Sequence, residues 1–505
     1  MILVIDFGSQ VAHLIARRIR ELNVYSELIQ HNTPLKRILE MKPRGIILSG
    51  GPSSVYENNA PSLDVSTFNL NIPILGICYG HQLLAKHLGG VVAKGKGEYG
   101  KTLIKTTNKS ELLRGIAAEE IVWMSHSDYV ERVPDNFIIT SYSENNYISS
   151  MENIDKQIFS VQFHPEVFHT PKGKHILNNF VDLTKSPRDW SLESFVENKI
   201  VEIKNKIGNA KVLMGVSGGV DSTVSAELIH RAIGENLLCV FVNNGLLRKG
   251  ECEEVCNFFE KYNFNFFPIE SPELFLSRLK GVIDPEEKRR IIGKTFIEVF
   301  EQQANKLGDF QFLGQGTIYP DRIESAQPSF QASTIKTHHN VGGLPEKMNL
   351  DLIEPLMDLY KDEVREVGRI LEIDENSLNR HPFPGPGLAV RIIGEVTEDR
   401  LRIVRQSDHI LAEELKKHGL YHKSWQVFTA FLNIKTVGVM GDARSYQYPI
   451  VIRCVESNDA MTASASSIPI KILKKIGTRI VNEVDGVNRV FYDLTDKPPA
   501  TIEYE

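Results

Sequence analysis

The sequence reads as an α/β chain: two doubly wound, mainly parallel-sheet domains followed by a smaller α+β domain. Three observations predict this. Short β-branched runs without period-two alternation, such as Gly45-Ile46-Ile47-Leu48, alternate with helical stretches through the first 185 residues, as suits parallel strands covered on both faces. The same texture resumes after residue 192. The cluster His381-Pro382-Phe383-Pro384-Gly385-Pro386-Gly387 then marks a break, because prolines forbid helix and limit strand pairing.

In chain order, Met1 to Ile5 reads as a buried first strand, and its apolar run stops at Asp6, too early for a signal peptide. Further strands fall at 45–48, 72–75 and 158–161. Residues 183–189, rich in Ser and Pro, read as a linker. A helix over 192–207 opens the second domain. Strands follow at 212–216, 237–242 and 310–313, with a helix over 224–232. Beyond the break, strands at 427–432, 448–453 and 489–494 and helices at 398–418 and 469–482 give the α+β pattern. The expected domains are 1–185, 192–380 and 381–505, in keeping with about 150 residues per domain.

Composition excludes several classes. The 58 basic and 64 acidic residues leave a net charge of −6, without the positive excess a nucleic-acid face requires. No stretch approaches the roughly 18 unbroken apolar residues of a membrane span. Five scattered cysteines make no disulfide framework, so a reducing cytoplasm is the expected setting. Cys252 and Cys256 would share a helix face, where packing accounts for them better than a metal.

The sharpest motif is Gly76-Ile77-Cys78-Tyr79-Gly80-His81-Gln82. It places a thiol on a strand–helix turn whose flanking glycines allow a strained backbone, with the sulfur at a positive helix N-terminus. A lone Cys is usually a small buried hydrophobe and most histidines are structural. Here Val161-Gln162-Phe163-His164-Pro165-Glu166 adds a base at a strand end and a carboxylate to orient it. The loop Leu48-Ser49-Gly50-Gly51-Pro52-Ser53 offers backbone N–H groups that, with that of Tyr79, can stabilise an oxyanion. A second motif, Ser217-Gly218-Gly219-Val220-Asp221-Ser222, follows a strand and precedes a helix. Its glycines let N–H groups approach phosphate, its two serine hydroxyls add donors, and Asp221 beside phosphates implies a cation, most naturally Mg2+.

The first motifs resemble class I glutamine amidotransferases, which implies that Cys78, His164 and Glu166 form a triad releasing ammonia from glutamine. Gly51 and Tyr79 would be the oxyanion donors, and Gln82 a glutamine contact. The second resembles the pyrophosphate loop of N-type ATP pyrophosphatases, which implies ATP contacts from Ser217, Gly218, Gly219, Val220, Asp221 and Ser222. The segments starting at Gly314, His338, Tyr360 and His381, and the tail Lys497-Pro498-Pro499-Ala500-Thr501-Ile502-Glu503, resemble the GMP synthetase family over nearly the whole chain. That resemblance implies adenylation of xanthosine monophosphate (XMP) by ATP with Mg2+, followed by amination to GMP. It adds Lys361 on the ATP phosphates, Gly385, Pro386, Asp442, Arg444, Lys497, Thr501 and Glu503 as XMP contacts, and a homodimer through the C-terminal domain. A glutamine-fed NAD synthetase would share the loop but carry a different glutaminase. Asn243 stands where the family usually has Asp, and Ser127 where it usually has Gly.

Overall fold

The computed structural model describes residues 1–9, 11–57, 59–107, 110–321, 350–440, 442–457 and 462–505. The segments Arg322-Ile323-Glu324-Ser325 and His338-His339 lie outside the described residues. The chain divides into two compact units, Met1–Ser194 and Phe195–Glu505.

The first unit is built on nine strands: β1 (Ile2–Asp6), β2 (Ser26–Gln30), β3 (Gly45–Leu48), β4 (Ile74–Ile77), β5 (Val91–Thr106), β6 (Glu119–Arg132), β7 (Ile138–Ser143), β8 (Ile148–Asn153) and β9 (Ile158–Val161). They form one sheet in the order β2-β1-β3-β4-β9-β8-β7-β5-β6. From β2 to β9 neighbours are parallel, and from β9 outward antiparallel. The continuous apolar runs became β1, β3, β4 and β9, each wholly buried, as expected for central parallel strands. The long ribbon β5–β6 escaped sequence reading, because both strands alternate buried and exposed residues and neither makes a continuous apolar run.

In the second unit β10 (Val212–Gly215), β11 (Leu237–Asn243), β12 (Asn265–Glu270), β13 (Phe312–Gly314) and β14 (Asp351–Ile353) form an all-parallel sheet, order β12-β11-β10-β13-β14. The helix after β10 spans Val220–Ile233, four residues earlier than the sequence reading, with Gly219 as its N-cap. Asp221 and Ser222 therefore sit in its first turn, where a carboxylate faces the positive end of the helix dipole.

Beyond it, β15 (Gln426–Phe431), β16 (Thr436–Met440), β17 (Ala443–Glu456), β18 (Ser464–Ala465) and β19 (Val487–Tyr492) make a second sheet around β17. It is flanked by helices Glu398–Lys417 and Ile470–Glu483. Leu213, Phe275, Leu388, Leu411, Phe431 and Ile476 belong to a single apolar core that includes side chains from both sheets.

Candidate active site

Three parallel strands of the first unit end on one edge and bring the thiol and its base together. Cys78 follows β4 with φ 51° and ψ −103° and caps the helix Tyr79–His87, a left-handed conformation that costs a non-glycine residue about 1–3 kcal/mol. The neighbouring glycines make the turn fit. A Cβ on Gly76 would lie 2.6 Å from Gly80 O, and one on Gly80 would lie 2.5 Å from Leu48 O. Cys78 N donates to Val161 O on β9 at 2.8 Å, which ties the nucleophile to the strand that leads into His164. Gly50, after β3, completes the arrangement: a Cβ there would be 3.1 Å from His164 Cε1 and 3.6 Å from Cys78 Cβ.

His164 bonds to Glu166 Oε1 through Nδ1 at 2.7 Å, while the Cys78 thiol, close enough to act on the imidazole electrostatically, donates to Ser125 O at 3.6 Å. Burial pulls the imidazole pKa down, but the Glu166 carboxylate and the Cys78 sulfur outweigh it and hold it well above 6.5. Glu166 is itself 1% exposed. Its Oε2 has no hydrogen-bond partner among the described residues, so His164 is the group its charge serves. A thiol, an imidazole and a carboxylate are thus gathered at one buried place, the residue types that acyl transfer through a thioester calls for.

A cavity of about 240 Å³ opens on Cys78, lined by Gly51, Pro52, Tyr79, Gln82 and the β5–β6 ribbon through Tyr99 and residues 125–128. That is below the roughly 300–1,000 Å³ of sites for drug-sized ligands and suits a small polar molecule. Gln82 donates its amide to Asp128 O at 2.7 Å and Gln162 Oε1 at 3.1 Å, leaving its carbonyl oxygen for a ligand. The ribbon wall was missed in the sequence. His126 bridges Asp128 O (2.8 Å) and Glu98 Oε2 (3.2 Å), and Ser54 Oγ donates to Asp128 Oδ2 at 2.5 Å. The one available signal was Ser125-His126-Ser127-Asp128, whose second and fourth residues are buried. Ser127 lies in β6 without a positive φ, so serine is tolerated there.

In the second unit the phosphate-loop residues also converge. The Ser217 and Ser222 hydroxyls are 3.2 Å apart, Gly219 N donates to Ser217 Oγ at 3.3 Å, and Gly218 takes φ +73°. Lys361, at the start of helix Lys361–Ile370, reaches both Asp221 oxygens at 2.7 and 2.6 Å. Asn243, at the end of β11, donates to Glu270 Oε2 on β12 at 2.7 Å and accepts from Gly245 N at 3.1 Å.

Residues 3–183 match the family model described as glutamine amidotransferase class-I, residues 191–287 that of NAD synthase, and residues 413–504 that of the GMP synthase C terminal domain. The chain is 55% identical over 507 residues to the glutamine-hydrolysing GMP synthase of Carboxydothermus hydrogenoformans, covering 100% of this chain and 99% of that one. It is 51% identical over 508 residues to the enzyme of the same name in Natranaerobius thermophilus, with 100% and 99% coverage. The chain belongs to the glutamine-hydrolysing GMP synthase family.

The residues expected from the sequence to contact XMP are distributed unevenly. Glu503 accepts from Arg391 Nε and Nη2 at 3.0 and 2.9 Å and from Gln426 at 2.7 Å. Thr501 O accepts from Arg453 Nη2 at 3.0 Å, and Lys497 pairs through its backbone with Ala463. Gly385 is exposed and Pro386 buried, just before the short helix Gly387–Arg391 that also supplies Arg391. Asp442 and Arg444 sit apart, exposed at the turn joining β16 and β17. Arg444 precedes Arg453 by nine residues of β17.

Proposed function

We propose that this chain hydrolyses glutamine at Cys78, uses the ammonia to aminate XMP activated by ATP, and releases GMP, AMP, pyrophosphate and glutamate. The observation that carries the reading is the gathering of Cys78 with the hydrogen-bonded pair His164–Glu166 in a chain related over its full length to such enzymes. Segments 1–185, 192–380 and 381–505 would divide the work between glutaminase, adenylation, and XMP binding with dimerisation.

In the first half, His164 takes the Cys78 proton as sulfur attacks the side-chain amide carbon. His164 then returns the proton to the departing ammonia, and water cleaves the thioester by the reverse relay. Glu166 holds the imidazolium through Nδ1, and the N–H groups of Gly51 and Tyr79 are the proposed oxyanion donors. In the second half, the Ser217–Ser222 loop and Lys361 hold the phosphates while O2 of XMP attacks the α-phosphate and pyrophosphate leaves. Ammonia then displaces AMP.

Oxygen donors at the loop, Asp221 with the Ser217 and Ser222 hydroxyls, suit a hard divalent cation. Among the described residues no group of three or more His, Cys, Asp or Glu forms a metal cage, in keeping with Mg2+, which takes a carboxylate or two and completes its shell with phosphate and water. When bound, the ion neutralises phosphate charge, and Asp221 would hold it. Among the described residues no helix is long and apolar enough to cross a membrane. A cytoplasmic homodimer is part of the same reading.

The test is one incubation with XMP, ATP, Mg2+ and glutamine, following nucleotides and pyrophosphate by chromatography. GMP with equal AMP and pyrophosphate supports the assignment. Pyrophosphate without GMP would mean adenylation uncoupled from ammonia, and neither product would overturn it.

A further inference from the structure

Arg380 closes the back of the phosphate loop from 162 residues away. Its Nη1 donates to Gly218 O at 3.1 Å and its Nη2 to Glu254 Oε2 at 2.6 Å. Position 218 calls for glycine on two counts: its φ is +73°, and a Cβ there would lie 2.3 Å from Val255 Cγ2. In a trans peptide the carbonyl of one residue and the N–H of the next point in opposite directions. Drawing the Gly218 carbonyl toward Arg380 therefore turns the Gly219 N–H the other way. There it meets Ser217 Oγ, which lies beside the Ser222 hydroxyl. A Gly-Gly peptide meets little steric resistance to flipping. Flipped, it would present a carbonyl oxygen where an anion has to sit.

The backbone that carries Arg380 is held from its other side. The next residue, His381, stacks on Tyr421 with ring centroids 3.9 Å apart and planes 6° from parallel. Pro382 O accepts from Arg248 Nη2 at 3.2 Å and Gln426 Nε2 at 3.1 Å. The guanidinium thus reaches the loop from an anchored base. The Glu254 arm alone is a surface ion pair of the kind that contributes little, since that carboxylate's side chain is 65% exposed. The Gly218 arm acts on the loop itself.

We propose that Arg380 is a positioning residue for ATP: its hydrogen bond to Gly218 O holds the Gly218–Gly219 peptide in the anion-accepting orientation. The proposal rests on the reading of Ser217–Ser222 as the ATP phosphate loop. It is tested by ammonia-driven GMP formation, which needs no glutaminase, in the wild type and in Arg380→Met, Arg380→Lys and Glu254→Gln.

Arg380→Met raises KM for ATP by about tenfold or more, while basal glutamine hydrolysis at Cys78 is unchanged. Arg380→Lys keeps one donor and recovers part of the loss. Glu254→Gln leaves the Gly218 arm and shifts the ATP KM by less than about threefold. A folded Arg380→Met enzyme with wild-type ATP KM overturns the proposal, as does an equal effect from Glu254→Gln. If Arg380→Met fails to fold, Arg380→Lys decides in its place: a raised ATP KM supports the proposal and an unchanged one overturns it. A wild-type enzyme active with ammonia whose rate is independent of ATP would instead overturn the loop reading, and this proposal with it.

Discussion

Lys361 Nζ lies 2.7 and 2.6 Å from the two carboxylate oxygens of Asp221, so at the mouth of the phosphate loop a cation and a carboxylate satisfy each other. Both side chains are about a third exposed, and a pair in that setting adds roughly 0–1 kcal/mol to stability. ATP with Mg2+ gives each a better partner, phosphate for Lys361 and the metal for Asp221. Asp221→Asn is therefore expected to leave the thermal midpoint nearly unmoved while ammonia-dependent GMP formation falls by about a hundredfold or more. Paired calorimetry and steady-state rates check this.

Cys78→Ala separates the two halves of the reaction. Glutamine-dependent synthesis should be lost, while ammonia-dependent synthesis stays within about twofold of wild type, because the phosphate loop lies on other strands and makes no use of the thiol. Loss of both activities in a folded variant would refute this division of labour.

Glu166→Gln should show a pH-dependent cost. Burial lowers the His164 pKa, but Glu166 and Cys78 together raise it well above 6.5. A raised native pKa means that the stabilisation is complete below the unfolded value and disappears as pH climbs through the native one. The variant should therefore lose about 3 kcal/mol near pH 6 and progressively less as pH climbs well above the ordinary imidazole range, measured as the difference in urea midpoints.

Gly80→Ala forces a Cβ to 2.5 Å from Leu48 O and 2.7 Å from Leu48 Cβ. Backbone cannot yield as a flexible side chain can, so β3 and the nucleophile turn must separate. A loss of about 3 kcal/mol with near-complete loss of glutaminase is expected, and denaturant melts beside an ammonia-release assay measure both.

Asn243→Asp replaces an amide donor, now 2.7 Å from Glu270 Oε2, with a second carboxylate. The like charges should cost roughly 0.5 kcal/mol near neutral pH, a penalty that fades as acid protonates one of them. Stability curves at two pH values test it. An accompanying fall in the ATP KM would show that a carboxylate at this position serves the nucleotide.

The amino-acid sequence by itself determined what neighbouring residues can encode. Continuous apolar runs specified β1, β3, β4 and β9, since a strand covered on both faces has no room for alternation. The glycines around Cys78 announced a backbone that only a sharp turn uses, and Ser217-Gly218-Gly219 announced close approach to an anion. Tertiary structure alone decided which distant groups meet these motifs. Lys361 reaches Asp221 across 140 residues and Arg380 reaches Gly218 across 162, and no periodicity relates such positions. The β5–β6 wall of the Cys78 cavity was likewise invisible, because alternating burial leaves its strands without a continuous apolar run. The folded chain also set Asp442 and Arg444 where β16 and β17 join. The physical reason is the same throughout: local conformation follows from bonded geometry and side-chain period, whereas a contact between remote residues exists only once the sheets have fixed where each strand ends.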